Sequence, residues 1–77
     1  MNDPRAHANG NLTEKRIDLM LIASLVEHGT RVLDIGCGNG ELMELLVAER
    51  GVDARGLELS QQGVNACVAR GLAVVQG

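Results

Sequence analysis

Three glycines at alternate positions, Gly36, Gly38 and Gly40, follow the run Val32-Leu33-Asp34-Ile35 and lead into Glu41-Leu42. A further acid, Glu58, stands about twenty residues beyond the loop. Glycine reaches positive φ cheaply, and with no Cβ it lets a ligand lie against the backbone. A carboxylate at the end of the next strand has two oxygens to face two neighbouring hydroxyls, as on a ribose. Asp34, just before the loop, could hold the loop amides or meet an ammonium group through water. The chemistry implied is recognition of a nucleoside.

The spacing separates two kinds of nucleoside. The dinucleotide fingerprint is G-x-G-x-x-G, with a small residue where the helix packs on its strand. Here the pattern is G-x-G-x-G, and Glu41 occupies the place of that small residue. A carboxylate at a helix N-terminus also repels the pyrophosphate that would seek the same positive end. S-adenosylmethionine carries no phosphate, so Glu41 does it no harm. It is the favoured cofactor, and an NAD-type dinucleotide is the alternative. The bland reading is a plain turn between strand and helix.

The remaining reactive side chains point less clearly. Cys37 stands in the loop, but no basic partner is visible and sulfonium methyl transfer needs no enzyme nucleophile. Cys67 reads as a small core residue. His7 and His28 have no ligand spacing, and Glu41, Glu44 and Glu49 read as a solvated helix face.

The elements that must position these residues alternate. Residues 1–11 read as a flexible lead, with Asn11 as a helix cap and Glu14 as its partner. A helix is predicted over 12–28, with Ile17, Met20, Leu21, Ile22, Leu25 and Val26 as one apolar stripe and Gly29 beyond its end. Residues 31–35 read as a short buried strand and 41–50 as a helix stopped by Gly51. Residues 55–59 form a second strand, with Leu57 and Leu59 on one face. Ser60 caps a helix over 61–70, weakened by Gly63, and 72–75 form a third strand. This order predicts an α/β, Rossmann-like parallel sheet of about three strands, with domain limits at 12–77.

With those motifs placed, a resemblance follows. Val32-Leu33-Asp34-Ile35-Gly36-Cys37-Gly38-Asn39-Gly40 resembles the first motif of class I S-adenosylmethionine-dependent methyltransferases. Gly56-Leu57-Glu58-Leu59-Ser60 is similar to their second. The resemblance implies that Asp34, Gly36, Cys37, Gly38, Gly40, Glu58 and Leu59 bind the cofactor, with Glu58 on the ribose and Leu59 against adenine. Val74-Val75-Gln76-Gly77 looks like the start of the third motif, without its acid. The segments from Leu33 to Leu42 and from Gly63 to Leu72, with Val75-Gln76-Gly77, resemble the methionine-biosynthesis MetW family. That likeness implies a place in methionine synthesis and homoserine O-acetyltransferase as a partner.

Size and composition set the bounds. The chain has 77 residues, a net charge of −3 and no Phe, Tyr or Trp, so the largest packing contributions are missing. It therefore reads as the first half of a larger fold, cofactor-binding but without an acceptor site, hence not catalytically competent alone. No basic patch or stacking platform suggests nucleic acid, and no apolar run suits a membrane span. Two distant cysteines suit a reduced, cytoplasmic setting. The first strand should lie at a sheet edge, open to self-association. Besides the enzyme-family reading, a non-enzymatic partner that regulates homoserine acetyltransferase remains open.

Overall fold

The computed structural model describes residues 4–77, with side chains from Thr13 onward. Helix α1 spans Pro4–Ser24, strand β1 Arg31–Ile35, α2 Glu41–Arg50, β2 Asp53–Glu58, α3 Gln61–Ala69 and β3 Ala73–Gln76. The alternation of helices and strands is the one expected. The three strands form one parallel sheet in the order β1-β2-β3. Asp34 is in register with Gly56, Ile35 with Leu57, and Glu58 with Gln76. The carboxyl ends of all three strands therefore open on the same side, where ligands bind in sheets of this kind.

The helices cover one face. Strand β2 turns Ala54 and Gly56 inward, and Met43 and Leu46 of α2 and Cys67 of α3 lie fully buried against that side. Burying one side chain such as Leu46 is worth about 1.5–3 kcal/mol, so α2 is the principal anchor of this small core. Its seat depends on Gly56. A Cβ there would stand 2.6 Å from Met43 Cε and 2.7 Å from Cys37 Sγ. A side chain at Gly56 would force the Met43 and Cys37 side chains to shift.

Three local expectations are corrected. Helix α1 begins at Pro4, not after an Asn11 cap, so residues 4–11 of the expected flexible lead are helical. Proline is well suited to a first turn, and Ala6 and Ala8 favour helix enough to carry it through Gly10. The lead's residues 1–3 lie outside the described residues. The same helix ends at Ser24, not His28. The Ser24 hydroxyl donates to Leu21 O at 2.6 Å, a local bond that competes with the helical ladder. Gly29 donates its amide to Arg50 O at 2.8 Å across to α2.

The third correction concerns burial. Of the expected α1 stripe, Ile17, Met20, Leu21, Ile22 and Leu25 are exposed, and the helix buries Ala23 instead, packing on α2. Likewise β1 is not a buried strand. Val32 and Asp34 face the helices, while Leu33 and Ile35 are 64% and 73% exposed. The sheet is covered by helices on one side only.

Candidate functional site

The loop after β1 turns on two glycines with left-handed backbone, Gly36 (φ 73°) and Gly38 (φ 59°). A Cβ at either would meet no protein atom within 4 Å. No packing demand explains glycine there. The left-handed backbone conformation does, since glycine alone adopts it cheaply. Gly40 differs. Its φ of 85° is left-handed as well, but a Cβ there would stand 2.6 Å from Leu72 Cδ1 and 3.0 Å from Cys67 Sγ, so it also lacks room for a side chain.

Hydrogen bonds hold the loop to β2. Leu57 O accepts from the Gly36 amide at 2.7 Å and the Cys37 amide at 3.2 Å, and Cys37 O accepts from Gly40 at 3.0 Å. Glu58 completes the grip. Its Oε1 accepts from the Gly38 amide at 2.8 Å and its Oε2 from the Ser60 amide at 2.9 Å. These two amides, Ser60 first, hold the Glu58 carboxyl below the usual carboxylate range. A carboxylate offers about four acceptor positions, so both oxygens retain room for further donors such as sugar hydroxyls. Ser60 also caps α3 as expected, accepting from the Gly63 amide at 2.9 Å.

Beside Glu58 lies a shallow cleft of about 180 Å³, lined by Ile35, Gly36, Leu57, Glu58, Leu59 and Gly77. Small-molecule pockets run to about 300–1,000 Å³, so this cleft is smaller than a whole cofactor needs. Leu59 stands 78% exposed at its rim. Its carbonyl accepts from Gln76 Nε2 at 3.1 Å, and Glu58 O accepts from the Gly77 amide at 3.0 Å, so the end of β3 braces the rim.

The sequence-derived residues thus meet in one place, with two differences. Asp34 does not hold the loop amides, because Leu57 O and Glu58 already take them. The Asp34 carboxylate has no hydrogen-bond or ion-pair partner among the described residues, and partial burial pushes its pKa up. Cys37 contributes only backbone. Its thiol faces the core, 3.8 Å from Cys67 Sγ, and burial first, then the neighbouring thiol, pushes it up to about 11. Gly63 and Cys67 belong to the site although sequence reasoning placed neither there. A Cβ at Gly63 would stand 2.7 Å from Glu58 Cγ and 2.8 Å from Gly38 O. A glycine three residues after a helix cap was the available signal for Gly63. For Cys67 there was none.

The electrostatics at the head of α2 fit the same picture. Glu41 accepts from Asn39 Nδ2 at 3.0 Å while its own amide donates to Asn39 Oδ1 at 3.2 Å. The Asn39 bond first holds Glu41 below the usual carboxylate range, and Lys15 lies 3.6 Å from it. A negative charge is thus fixed where a pyrophosphate would need a positive end. Among the described residues no cluster of His, Cys, Asp or Glu could hold a metal ion, and no helix is long and apolar enough to cross a membrane.

Comparison with known proteins accords with this geometry. The family model for methionine biosynthesis protein MetW matches residues 16–77. An S-adenosylmethionine-dependent methyltransferase from Thiobacillus denitrificans, solved with S-adenosyl-L-homocysteine, is 27% identical over 100% of this chain and 38% of its own, with a TM-score of 0.65. A second, from Geobacter sulfurreducens and in complex with the same compound, is 29% identical over 77% of this chain and 28% of its own, at 0.60. A TehB-like methyltransferase from Corynebacterium glutamicum shares the fold at 22% identity, covering 95% of this chain and 46% of its own, at 0.66. The chain spans less than half the length of these structures.

Proposed function

The chain belongs to the MetW family, with a methyltransferase-like domain, and on that premise we propose that it binds S-adenosylmethionine on the loop from Gly36 to Gly40. The observation that carries this reading is the Glu58 carboxylate, drawn to 2.8 Å from the Gly38 amide and open on its outer side. In this reading Glu58 accepts the ribose hydroxyls and Leu59 lies along adenine. Gly36 and Gly38 leave space for the amino-acid end, and Asp34, without a protein partner, meets its ammonium group. Cys37 and Gly40 shape the loop through their backbone.

When bound, the cofactor supplies a methyl group on a sulfonium, ready for in-line transfer. The chain's own residues bind and orient it. On this reading the chain binds and orients the cofactor and has no turnover of its own. Robust methyl transfer by the purified chain would overturn that part.

Calorimetric titration with S-adenosylhomocysteine and with NAD tests the ligand. Binding of the first and not the second is expected, with a loss of roughly tenfold or more for Glu58→Ala. Equal binding of NAD, or an unchanged affinity in Glu58→Ala, would sink the assignment.

Membership of this family also supports a role in methionine biosynthesis, with homoserine O-acetyltransferase as a partner in the cytoplasm, where two unlinked thiols suit a reducing setting. Co-purification with that enzyme, unaffected by Glu58→Ala, would favour the non-enzymatic regulatory role; no association would remove it. The open edge of β1 and its exposed Leu33 and Ile35 support self-association. Analytical ultracentrifugation giving a sharp monomer at all concentrations would count against it.

A further inference from the structure

Two thiols lie beneath the glycine loop, and cofactor binding as described uses neither. Cys67, fully buried on α3, has its Sγ 3.3 Å from Gly38 O. Cys37 Sγ lies 3.8 Å from Cys67 Sγ. A thiol has a single proton. If that of Cys67 goes to the Gly38 carbonyl, Cys37 must be the donor in the thiol–thiol contact. The order is then Cys37 to Cys67 to Gly38 O, and bonds arranged in such a chain polarise one another.

We propose that Cys67 is a positioning residue for the cofactor loop, its thiol fixing the peptide group that follows Gly38 while Glu58 fixes the one that precedes it. The peptide groups are rigid planes, so the shape of the loop at Gly38 reduces to two soft dihedrals. Glycine, with the widest conformational choice, is the residue least able to hold them unaided. The Glu58 bond to the Gly38 amide sets the plane between residues 37 and 38. The Cys67 bond to the Gly38 carbonyl sets the plane between 38 and 39. Water is poorly placed to replace that donor. Gly38 O lies only 2.8 Å from where a Cβ on Gly63 would stand, so α3 closes over the carbonyl. The small residue at 63 and the thiol at 67, one helical turn apart, act on the same backbone group.

Amide hydrogen exchange in the ligand-free 77-residue protein tests this without reference to the cofactor. The quantity read is the Gly38 amide rate relative to that of Leu46, which follows the core. For Cys67→Ala a relative acceleration of roughly three- to tenfold is expected, with Cys67→Ser restoring most of the protection. An unchanged ratio in Cys67→Ala, or a serine variant as fast as the alanine one, would show packing alone and overturn the assignment. A second measurement avoids any folding defect at position 67. In Cys37→Ala the one remaining S–H is that of Cys67, and its infrared stretch should lie below that of a free thiol. A free-thiol frequency there would also refute it. Weaker binding of S-adenosylhomocysteine in the same order, alanine more than serine, is expected too, and only this last readout rests on the cofactor proposal.

Discussion

Glu58 and Gly38, separated by twenty residues in sequence, are joined by a 2.8 Å hydrogen bond from the glycine amide to the carboxylate. The bond links the loop after β1 to the end of β2, and Ser60 on the far side takes the second oxygen at 2.9 Å. The acid expected to meet a sugar is therefore also part of the loop's own support. Several measurable consequences come from that double use.

Acid should loosen the loop. The carboxyl of Glu58 is held below its ordinary range by the amides of Ser60 and Gly38, so its contribution is present above the unfolded value and is lost as pH falls through the lower folded one. Protection of the Gly38 amide should stay flat from neutrality down to the ordinary carboxylate range and drop below it. In Glu58→Gln the acid-dependent drop should vanish. A titration of the Gly38 amide shift by NMR that shows no acidic transition would contradict this.

Asp34 runs the other way. Burial raises its pKa, so the ionised form is disfavoured in the fold, and stability is lost as pH rises through the folded value. Replacing it with Asn should leave the melting temperature at neutral pH equal or slightly higher, while binding of S-adenosylhomocysteine weakens. Thermal melting beside calorimetry reads both. A variant that lost stability and kept full affinity would reverse the assignment of Asp34 to the ligand.

Gly63→Ala sets two magnitudes against each other. Alanine in a helix is favoured over glycine by about 1 kcal/mol. A Cβ here, however, meets Glu58 Cγ at 2.7 Å, Gly38 O at 2.8 Å and Ser60 Oγ at 2.9 Å. Overpacking of that kind costs about 1–3 kcal/mol, and one of the three atoms is backbone, which yields least. The clash should win. A denaturant midpoint lower than that of the parent is expected, with weaker ligand binding; a higher midpoint would mean that the loop gives way easily.

The thiol of Cys37, pushed up to about 11 from an ordinary 9.0, is almost wholly protonated at pH 8. The thiolate is the nucleophile, so iodoacetamide should modify folded Cys37 roughly a hundredfold more slowly than the unfolded chain. Mass spectrometry of the labelled peptide, with and without denaturant, gives the ratio. Equal rates would place Cys37 outside the core.

Much of this was legible in the sequence because it rests on local rules. The alternate glycines, the apolar run before them and Ser60 at a helix start depend on neighbours in the chain, and the strands and α2 and α3 follow closely from them. Errors fell where distant packing decides. The spacing of Ile17, Met20 and Leu21 marks a helical stripe but cannot say that Ala23 is the residue buried against α2. Leu33 and Ile35 are apolar on a parallel strand, which normally means cover on both faces, and here one face is open. Asn11 is a good cap residue, yet a helix beginning at Pro4 simply runs through it. In the site, Glu58 was legible as an acid at a strand end, whereas its bond to Gly38 and the approach of Cys67 are tertiary facts with no signature in spacing.

Helix α1 is fastened chiefly toward its far end, with one ion pair, Lys15 to Glu41 at 3.6 Å, nearer its start. Arg50 donates through Nε to Ala23 O at 3.0 Å and approaches His28 Nε2 at 2.7 Å, and its carbonyl takes the Gly29 amide. The first helix thus rests on the second through Arg50, the buried Ala23 and the Lys15–Glu41 ion pair, while the hydrogen bonds that join the loop to Glu58 use none of its residues. Such an arrangement divides the molecule into a rigid hearth and a detachable awning. Heat or protease should strip the awning first, leaving the glycine loop and Glu58 standing.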